Sequence, residues 1–300
     1  TRRMSVSIAH ARVIEKPRPR TDLTFAVAFG GGGARGLAHI HVIEALDEMG
    51  IRPVAIAGSS IGAIMGAGMA AGMAGRDIHA YARSILGRRK EVASRMWRAR
   101  PNSFGEMMFD GFRVSQFNIE KIVRAFLPHE VPDRFEELAI PLKVTATDFF
   151  GHDLAVFENG DLVSALSASA AIPALFRPVR RDGRVLIDGG IYNPVPFDLL
   201  EGLADIVIAI DVVGSPSEVS GKRPNSIELM FGSSQLMMQS IIDMKLKSKR
   251  PDVYIKPPVS RFRVLDFLKI EAVLAETQSV KDELKRSIDQ VVARRQLHQA

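Results

Sequence analysis

A run of glycines at residues 30–36 offers bare backbone amides directly after a short apolar stretch. The motif GGGARG spans residues 31–36 and follows the run FAVAF at residues 25–29. Because glycine costs about 1 kcal/mol relative to alanine inside regular structure, such a run indicates that the backbone itself makes a contact. Amides that follow a strand and open a helix form an anion site. Three anions fit it: a dinucleotide pyrophosphate, a nucleotide phosphate, or the oxyanion of a reacting carbonyl.

The two phosphate alternatives lack the other residues that they need. A dinucleotide site requires an acidic residue about 20 residues further on, where the second strand ends. That strand ends in AIAGSS here, without a carboxylate. A nucleotide-binding P-loop requires a lysine after its last glycine, and Leu37 occupies that position. The oxyanion alternative is therefore favoured.

A serine lies at the centre of the next motif. GSSIG at residues 58–62 matches the pattern G-x-S-x-G, with Ser60 in the middle and Gly58 and Gly62 at the ends. This pattern is typical of a strained turn between a strand and a helix, which exposes the serine hydroxyl as a nucleophile. The pentapeptide by itself is common, and its position after a strand and before a helix is the more specific signal.

The base for such a serine is best sought among the acidic residues. Of the seven histidines, only His298 follows the later acidic residues, so the order Ser, Asp, His is disfavoured. Asp188 lies in the segment LIDGG at a predicted strand end, where Gly189 and Gly190 let other backbone approach. The alternative for Asp188 is a turn-forming role, because Asp-Gly is a common turn pair.

Arg35 lies in the first turn of the helix predicted after the glycines, where a cation opposes the helix dipole. Two interpretations stay open at this point. The side chain forms an ion pair with a nearby acid, or it braces the glycine loop and adds positive potential at the oxyanion.

Strands and helices alternate along the parts of the chain that carry these motifs. Predicted strands cover residues 25–30, 53–58, 139–149, 154–160, 184–190 and 204–213, and predicted helices cover residues 36–49, 61–73, 161–171 and 271–296. Alternation of this kind indicates helices on both faces of a mainly parallel sheet, with the active site at the carboxyl ends of the strands. We therefore predict an α/β fold, a three-layer sandwich with a mostly parallel central sheet. The alternation is lost at residues 87–138, and residues 214–270 contain one predicted strand.

Composition limits the remaining choices. The 300 residues are 46% hydrophobic, which allows one large domain or two small ones, and the absence of cysteine excludes disulfides and thiolate chemistry. The net charge of +6 would attract nucleic acid or anionic lipid. The uncharged stretch at residues 53–75 is long enough to span a membrane, but its six glycines and its strand–turn–helix pattern argue against a span.

The motifs GGGARG, GSSIG and DGG, in this order, resemble those of the patatin-like phospholipase family. The segments SASAAIPALFRPV at residues 167–179 and IDGGIYNPVP at residues 187–196 extend the resemblance, which covers roughly residues 25–200. The chain departs from the family at Gly30, where an aspartate is common. Because backbone amides carry the role of this loop, we expect the departure to matter little.

The resemblance implies a Ser–Asp dyad that uses no histidine, metal ion or cofactor. Ser60 would attack an ester carbonyl, and Asp188 would accept its proton and later activate water. The amides of Gly32 and Gly33, with Arg35 nearby, would stabilise the oxyanion. Because a carboxylate with a pKa near 4 is a weak base for serine, we expect burial to raise the pKa of Asp188. The glycines that shape these motifs are Gly31, Gly36, Gly58, Gly62, Gly189 and Gly190.

The resemblance also suggests a domain organisation and a location. We expect a basic N-terminal arm at residues 1–24, a catalytic domain at residues 25–200, and C-terminal strands and helices at residues 201–300 that complete the same fold. The arm lacks the apolar centre of a secretory signal. The expected location is cytoplasmic. Peripheral association with the inner membrane surface and export are both left open, and the oligomeric state is unassigned.

The implied substrate is an acyl ester of a phospholipid, lysophospholipid or neutral lipid, at a membrane surface and without a nucleic-acid partner. The basic segments at residues 87–100 and 244–250 would attract anionic lipid. An apolar mouth could form beside Trp97 from Met107, Met108, Phe109 and Phe112. A solvated charged face over ordinary core residues explains the same pattern equally well.

Two alternatives come from other functional classes. The first is a catalytically silent protein that binds lipid or a partner, and the second is a nucleotide-binding module that uses the glycine loop. Acyl transfer to an acceptor other than water is a variant of the hydrolase hypothesis.

Overall fold

The computed structural model describes residues 23–98, 117–216 and 223–299. The basic arm predicted at residues 1–24 therefore lies almost wholly outside the described residues. The same holds for the side chains predicted to form an apolar mouth, namely Met107, Met108, Phe109 and Phe112.

The described strands form one mixed, mostly parallel sheet. They are β1 (Phe25–Phe29), β2 (Ala55–Ser59), β3 (Leu142–Asp148), β4 (Asp153–Phe157), β5 (Val179–Arg181), β6 (Arg184–Asp188), β7 (Ile206–Ile210) and β8 (Val253–Ile255). Their order is β5-β6-β3-β2-β1-β7-β8, and β4 also pairs with β3. Parallel pairs join β8, β7, β1, β2 and β3, whereas β4, β5 and β6 pair antiparallel. The predicted α/β class is confirmed.

Helices flank this sheet. They are α1 (His39–Glu48), α2 (Ile61–Ala70), α3 (Gly75–Leu86), α4 (Arg89–Arg98), α5 (Ile119–Phe126), α6 (Leu162–Ser169), α7 (Ser226–Ser248), α8 (Ile270–Thr277) and α9 (Val280–Gln299). A 3-10 helix at Gly33–Ala38 leads into α1, and a shorter one at Gly189–Ile191 follows β6. Among the described helices, none combines the length and the apolar composition needed to cross a membrane.

The two faces of the sheet carry side chains of different size. In β1, Phe25, Val27 and Phe29 join a large core under α1, α2 and α6, whereas Ala26 and Ala28 face the other side. Successive residues of a strand point to opposite faces, so this alternation separates a bulky face from a small one. On the small face the chain at residues 195–200 and the buried side of α7 pack closely against the strands.

Strand β3 has two partners on one of its edges. Strand β4 pairs with residues 144–148 of β3, and β2 pairs with residues 142–145. Both β2 and β6 overlap with β4 along β3, so neither can lie on the edge that β4 occupies. Strand β6, which pairs with residues 146–148, therefore lies on the same edge of β3 as β2. Because β2 runs parallel and β6 antiparallel to β3, the carboxyl ends of β2 and β6 meet on this edge.

Most predicted elements are present with shifted ends, and two predictions were wrong in detail. The single helix predicted at residues 271–296 is two helices, α8 and α9, and α1 is preceded by a 3-10 turn. Helix α6 begins as expected, with the side chain of Asp161 accepting a hydrogen bond from the amide of Ser164 at 2.8 Å. The 23-residue helix α7 was missed because apolar side chains lie on its exposed face as well as on its buried one, which hides the helical period.

Glycine is required where α2 begins against β1. A Cβ at Gly62 would lie 2.2 Å from the carbonyl oxygen of Phe29, and backbone cannot move away cheaply. A Cβ at Gly68 would lie 3.3 Å from Cδ1 of Ile78, the end of a flexible side chain. Because both glycines lie in α2, comparing alanine substitutions at the two positions distinguishes the effect of packing from the effect of helix propensity.

We expect Gly62→Ala to lower the free energy of unfolding by about 3 kcal/mol, because the added methyl group forces α2 away from β1. Gly68→Ala should be neutral or should raise it by up to about 1 kcal/mol, because alanine favours the helix. Urea unfolding of both variants measures the difference, and equal unfolding free energies would contradict this account of the α2–β1 contact.

Candidate active site

Ser60 lies on a strained turn between β2 and α2. Its backbone has φ 54° and ψ −126°, a conformation that residues other than glycine rarely adopt. The Oγ of Ser169 accepts a hydrogen bond of 2.7 Å from the Ser60 amide and holds the turn. A Cβ at Gly58 would lie 2.5 Å from Cα of Ala63, so the turn also requires glycine on its strand side. This is the strand–turn–helix context that the G-x-S-x-G pattern predicts.

Asp188 reaches Ser60 because β2 and β6 meet along the edge of β3. Ser59, the last residue of β2, is opposite Thr145, and Asp188, the last residue of β6, is opposite the next residue, Ala146. Two strand ends that approach from opposite directions are thus brought to adjacent positions. This register brings together Ser60 and Asp188, which are 128 positions apart in sequence.

The Asp188 carboxylate is held at both oxygens. Ser60 Oγ donates a hydrogen bond of 2.6 Å to Oδ2, and the Gly190 amide donates one of 2.8 Å to Oδ1. The hydroxyl of Thr147 donates to the Asp188 carbonyl at 2.9 Å, which fixes the backbone of the strand end. A Cβ at Gly189 would lie 2.3 Å from the carbonyl oxygen of Thr145, so this turn packs directly on β3.

Burial raises the pKa of Asp188 from 3.8 to about 6, although the hydrogen bonds from Ser60 and Gly190 act in the opposite direction. Both Ser60 and Asp188 are nearly inaccessible, at 5% and 4% exposure. The expectation that Asp188 lies in a desolvated pocket is therefore met. A carboxylate with this pKa remains ionised at neutral pH and is a stronger base than an exposed aspartate.

Two amides of the glycine loop have no hydrogen-bond acceptor among the described residues. The amide of Gly30 donates to Ile210, that of Gly31 donates to Pro194, and that of Ala34 donates to Val264. Among the described residues, the amides of Gly32 and Gly33 have no acceptor, and both glycines line a small pocket with Ser60 and Asp188.

Close packing of the backbone explains why this loop is made of glycine. A Cβ at Gly32 would lie 2.3 Å from the carbonyl oxygen of Val212, and one at Gly33 would lie 2.3 Å from that of Val264. Gly33 also has φ +60°, which disfavours any other residue. A Cβ at Gly31 would lie 3.3 Å from Cβ of Ser60, so the loop passes directly beside the serine. Gly36, further along, packs against Ile61, which would lie 2.3 Å from its Cβ.

Arg35 braces the loop rather than pairing with an acid. Its Nε donates a hydrogen bond of 2.7 Å to the carbonyl of Phe262, and its Nη1 donates one of 2.7 Å to the carbonyl of Val213. Burial lowers its pKa to about 10, and the charge of Asp266 opposes that shift. Of the two interpretations of Arg35, the hydrogen bonds support the bracing one.

Three contributors to the site were missed by sequence reasoning. His39 is buried, its Nε2 lies 2.8 Å from the carbonyl oxygen of Gly30, and burial lowers its pKa to about 4. Neutral His39 donates to Gly30 and so fixes the start of the glycine loop. Ser169 and Thr147 hold Ser60 and Asp188 as described above. Ser169 belongs to the segment SASAAIP, which the sequence marks without indicating its role.

An apolar cavity of about 420 Å³ opens beside Ser60. Helices α2, α3 and α5 form most of its wall through side chains such as Ile64, Ile78 and Ile122. Val92 and Met96 of α4 also contribute, so part of the basic segment at residues 87–100 faces this cavity. A second pocket of about 100 Å³ lies on the Asp188 side of Ser60 and is covered by α7.

Among the described residues, no group of three or more His, Asp and Glu side chains is arranged to hold a metal ion.

A family model described as patatin-like phospholipase matches residues 27–201, more than half of the chain. A protein of the NTE family from Mycobacterium tuberculosis is 39% identical over 192 residues, which are 63% of this chain and 49% of that protein. Human patatin-like phospholipase domain-containing protein 6 is 28% identical over 298 residues, which cover 88% of this chain and 20% of that protein. The chain thus spans about half the length of the mycobacterial relative and about a fifth of the length of the human one.

The chain is also similar to solved structures at low identity. Human GIVD cytosolic phospholipase A2 is 12% identical with a TM-score of 0.43, and the match covers 91% of this chain and 60% of that one. VipD from Legionella pneumophila is 14% identical with a TM-score of 0.43, and the match covers 86% of this chain and 67% of that one.

The raised pKa of Asp188 makes stability depend on pH. Between pH 3.8 and about pH 6 the folded chain holds a proton that the unfolded chain has released, so the free energy of unfolding falls as the pH rises. Asp188→Asn removes this titration. From about pH 4 to about pH 7, its unfolding free energy relative to the unsubstituted protein should rise by about 2 kcal/mol.

Urea unfolding at the two pH values measures this change. Asp153→Asn is a matched control at an exposed strand position, and its relative stability should shift by less than about 0.5 kcal/mol. A pH-independent difference for Asp188→Asn would show that the carboxyl group is not held at a raised pKa.

Proposed function

Because this chain belongs to the patatin-like phospholipase family, we propose that it is a serine lipid acyl hydrolase whose catalytic dyad is Ser60 and Asp188. The observation that carries the proposal is the 2.6 Å hydrogen bond from Ser60 Oγ to Asp188 Oδ2. It lies beside two unused amides and an apolar cavity. A nucleophile, a base, donors for an oxyanion and space for an acyl chain thus converge on one point.

The first half of the reaction forms an acyl-enzyme. Ser60 Oγ attacks the ester carbonyl carbon while its proton passes to Asp188 Oδ2. The carbonyl oxygen becomes an oxyanion and accepts hydrogen bonds from the amides of Gly32 and Gly33. Each such donor typically contributes about 2.7–4 kcal/mol to the stability of the transition state. When the C–O bond of the ester breaks, Asp188 returns the proton to the departing alcohol.

The second half restores the enzyme. Water attacks the acyl carbonyl, Asp188 accepts a proton from it, and the same amides hold the second oxyanion. Collapse of this intermediate breaks the bond to Ser60 Oγ, which takes back the proton from Asp188, and releases a carboxylic acid. The proposed cycle uses no metal ion. Arg35 and His39 act through the loop that they hold, since both donate to backbone carbonyls.

The apolar cavity supports a lipid acyl chain as the group that is transferred. Its volume of about 420 Å³ lies within the range of about 300–1,000 Å³ that is usual for small-molecule sites. Hydrocarbon atoms make up nearly all of its lining, so a fatty acyl chain leaves no polar group unpaired there. Each buried methylene contributes about 0.8 kcal/mol to binding. The polar part of the substrate would then lie in the second pocket, beneath α7.

The neighbouring serines allow a matched test of the nucleophile. Ser59 and Ser60 are both buried, but Ser59 Oγ has no hydrogen-bond partner within the described residues. We expect Ser60→Ala to lower turnover of a p-nitrophenyl ester by at least about 10⁴-fold and to abolish labelling by a fluorophosphonate probe. Ser59→Ala should keep both activities, because it removes a hydroxyl that forms no hydrogen bond.

Circular dichroism and urea unfolding of both variants establish that the fold is retained. Labelling that persists in Ser60→Ala, or that disappears in Ser59→Ala, would contradict the assignment of the nucleophile. Absence of turnover in the unsubstituted protein across short and long acyl esters would instead support the silent-binding alternative.

A further inference from the structure

Large apolar side chains surround the entrance to the candidate active site. Phe117 and Leu265 line the large cavity, and Ile191 and Met230 line the small pocket beside Asp188. All four side chains are also exposed to solvent: the exposed fraction is 44% for Phe117, 50% for Leu265, 37% for Ile191 and 41% for Met230. They belong to four separate parts of the chain, so the rim is apolar on several sides.

The outer surface of α7 continues this apolar rim. Leu229, Leu236, Met237 and Met244 are exposed by 54%, 60%, 61% and 59%. Leu229 and Leu236 are seven residues apart, as are Met237 and Met244, so each pair spans two helical turns. The two pairs lie about 100° apart around the axis, on one side of the helix. The other side of α7 is buried through Gln235 and Ile242.

An ion pair joins α7 to the loop that carries Leu265. Arg263 Nη2 lies 2.9 Å from Glu228 Oε1, at the first turn of α7. Val264 lines the same small pocket as Met230, and Leu268, which follows in that loop, is 48% exposed. We define these exposed side chains together as the docking face: Leu229, Met230, Leu236, Met237, Met244, Leu265 and Leu268.

Basic residues dominate the part of the chain that carries the docking face. Residues 223–269 contain nine Lys and Arg against four Asp and Glu. Arg261, Arg263 and Lys269 are more than half exposed beside α7, although each also forms an ion pair, with Glu276, Glu228 and Asp266 respectively. Exposed apolar patches with a polar rim are typical of interaction surfaces, and this rim has the charge that attracts anionic headgroups.

We propose that the docking face binds the surface of an anionic phospholipid bilayer, and this inference rests on the proposed lipid hydrolase function. A bilayer fits this face because the face is continuous with the site: Met230 and Leu265 belong both to the docking face and to the walls of the two pockets. An acyl chain that leaves a bilayer under this face enters the cavity without crossing water. Each methylene kept out of water on this path saves about 0.8 kcal/mol.

The buried side of α7 connects the docking face to the loop behind the glycines. Gln235 donates a hydrogen bond of 3.1 Å to the carbonyl of Val213, which also accepts from Arg35. Gln239 donates one of 3.2 Å to the carbonyl of Gly214. A bilayer bound to the outside of α7 therefore lies one helix diameter from the loop that supports the proposed oxyanion donors.

Vesicle binding of the full chain tests the proposal independently of catalysis. All binding measurements use the Ser60→Ala background, so that lipid is not consumed, and vesicles of equal parts phosphatidylcholine and phosphatidylglycerol. We expect Leu236→Glu with Met237→Glu to lower the bound fraction by at least about tenfold, because two apolar side chains are lost from the contact and two anions are added.

The matched control carries two apolar-to-glutamate substitutions at the opposite end of the strands from the site. Val54 and Leu203 are exposed by 42% and 47% and precede β2 and β7, whose opposite ends lead to the site. Val54→Glu with Leu203→Glu should bind vesicles as strongly as the background. With Ser60 intact, both double variants should hydrolyse p-nitrophenyl butyrate at the unsubstituted rate, since neither touches the dyad.

Equal vesicle binding by the two double variants would overturn the docking proposal, as would an absence of binding in the background protein. A change in self-association on light scattering, with vesicle binding unaltered, would assign the face to a second copy of the chain and overturn it as well. If the unsubstituted protein hydrolyses neither short nor long acyl esters, but vesicle binding still depends on residues 236 and 237, the hydrolase function is refuted and the docking face is retained.

Discussion

The hydrogen bond between Ser60 and Asp188 is the constraint to which the surrounding structure conforms. It requires two strands from opposite directions to end side by side, and the shared edge of β3 provides that register. It also requires water to be kept away, since burial is what raises the pKa of Asp188. Backbone must then approach from the glycine loop, and side chains there would collide with residues 212 and 264.

This arrangement opposes stability at several points. Ser60 adopts a strained backbone conformation, Asp188 is charged in an apolar setting at neutral pH, and Ser59 Oγ is buried without a partner among the described residues. Each of these costs on the order of 1–3 kcal/mol. The bulky face of the sheet and the helices packed on it form a large core, which offsets the cost and keeps the site rigid. Proteins commonly concentrate such local strain at functional sites.

The local motifs could be predicted from the residues themselves, whereas the pairing of Ser60 with Asp188 was expected only from the resemblance to the family. Glycine, serine and aspartate at fixed spacing indicate a strand, a turn and a helix, and these depend on neighbouring residues alone. The end-to-end meeting of β2 and β6 depends on how β3 shares its edge, and no local pattern encodes that choice. The cavity was missed because its lining residues, such as Ile78 and Ile122, are of the same types as those that fill an ordinary core. Helix α7 was missed because its exposed side is as apolar as its buried one, which is the property that the docking proposal explains.

A crystal structure of the protein after reaction with a long-chain alkyl fluorophosphonate tests the central claim most directly. The account predicts phosphorus bonded to Ser60 Oγ, the phosphoryl oxygen within hydrogen-bond distance of the amides of Gly32 and Gly33, and the alkyl chain in the cavity between α2, α3 and α5. An adduct on another residue would contradict it. So would a phosphoryl oxygen that points away from the glycine loop.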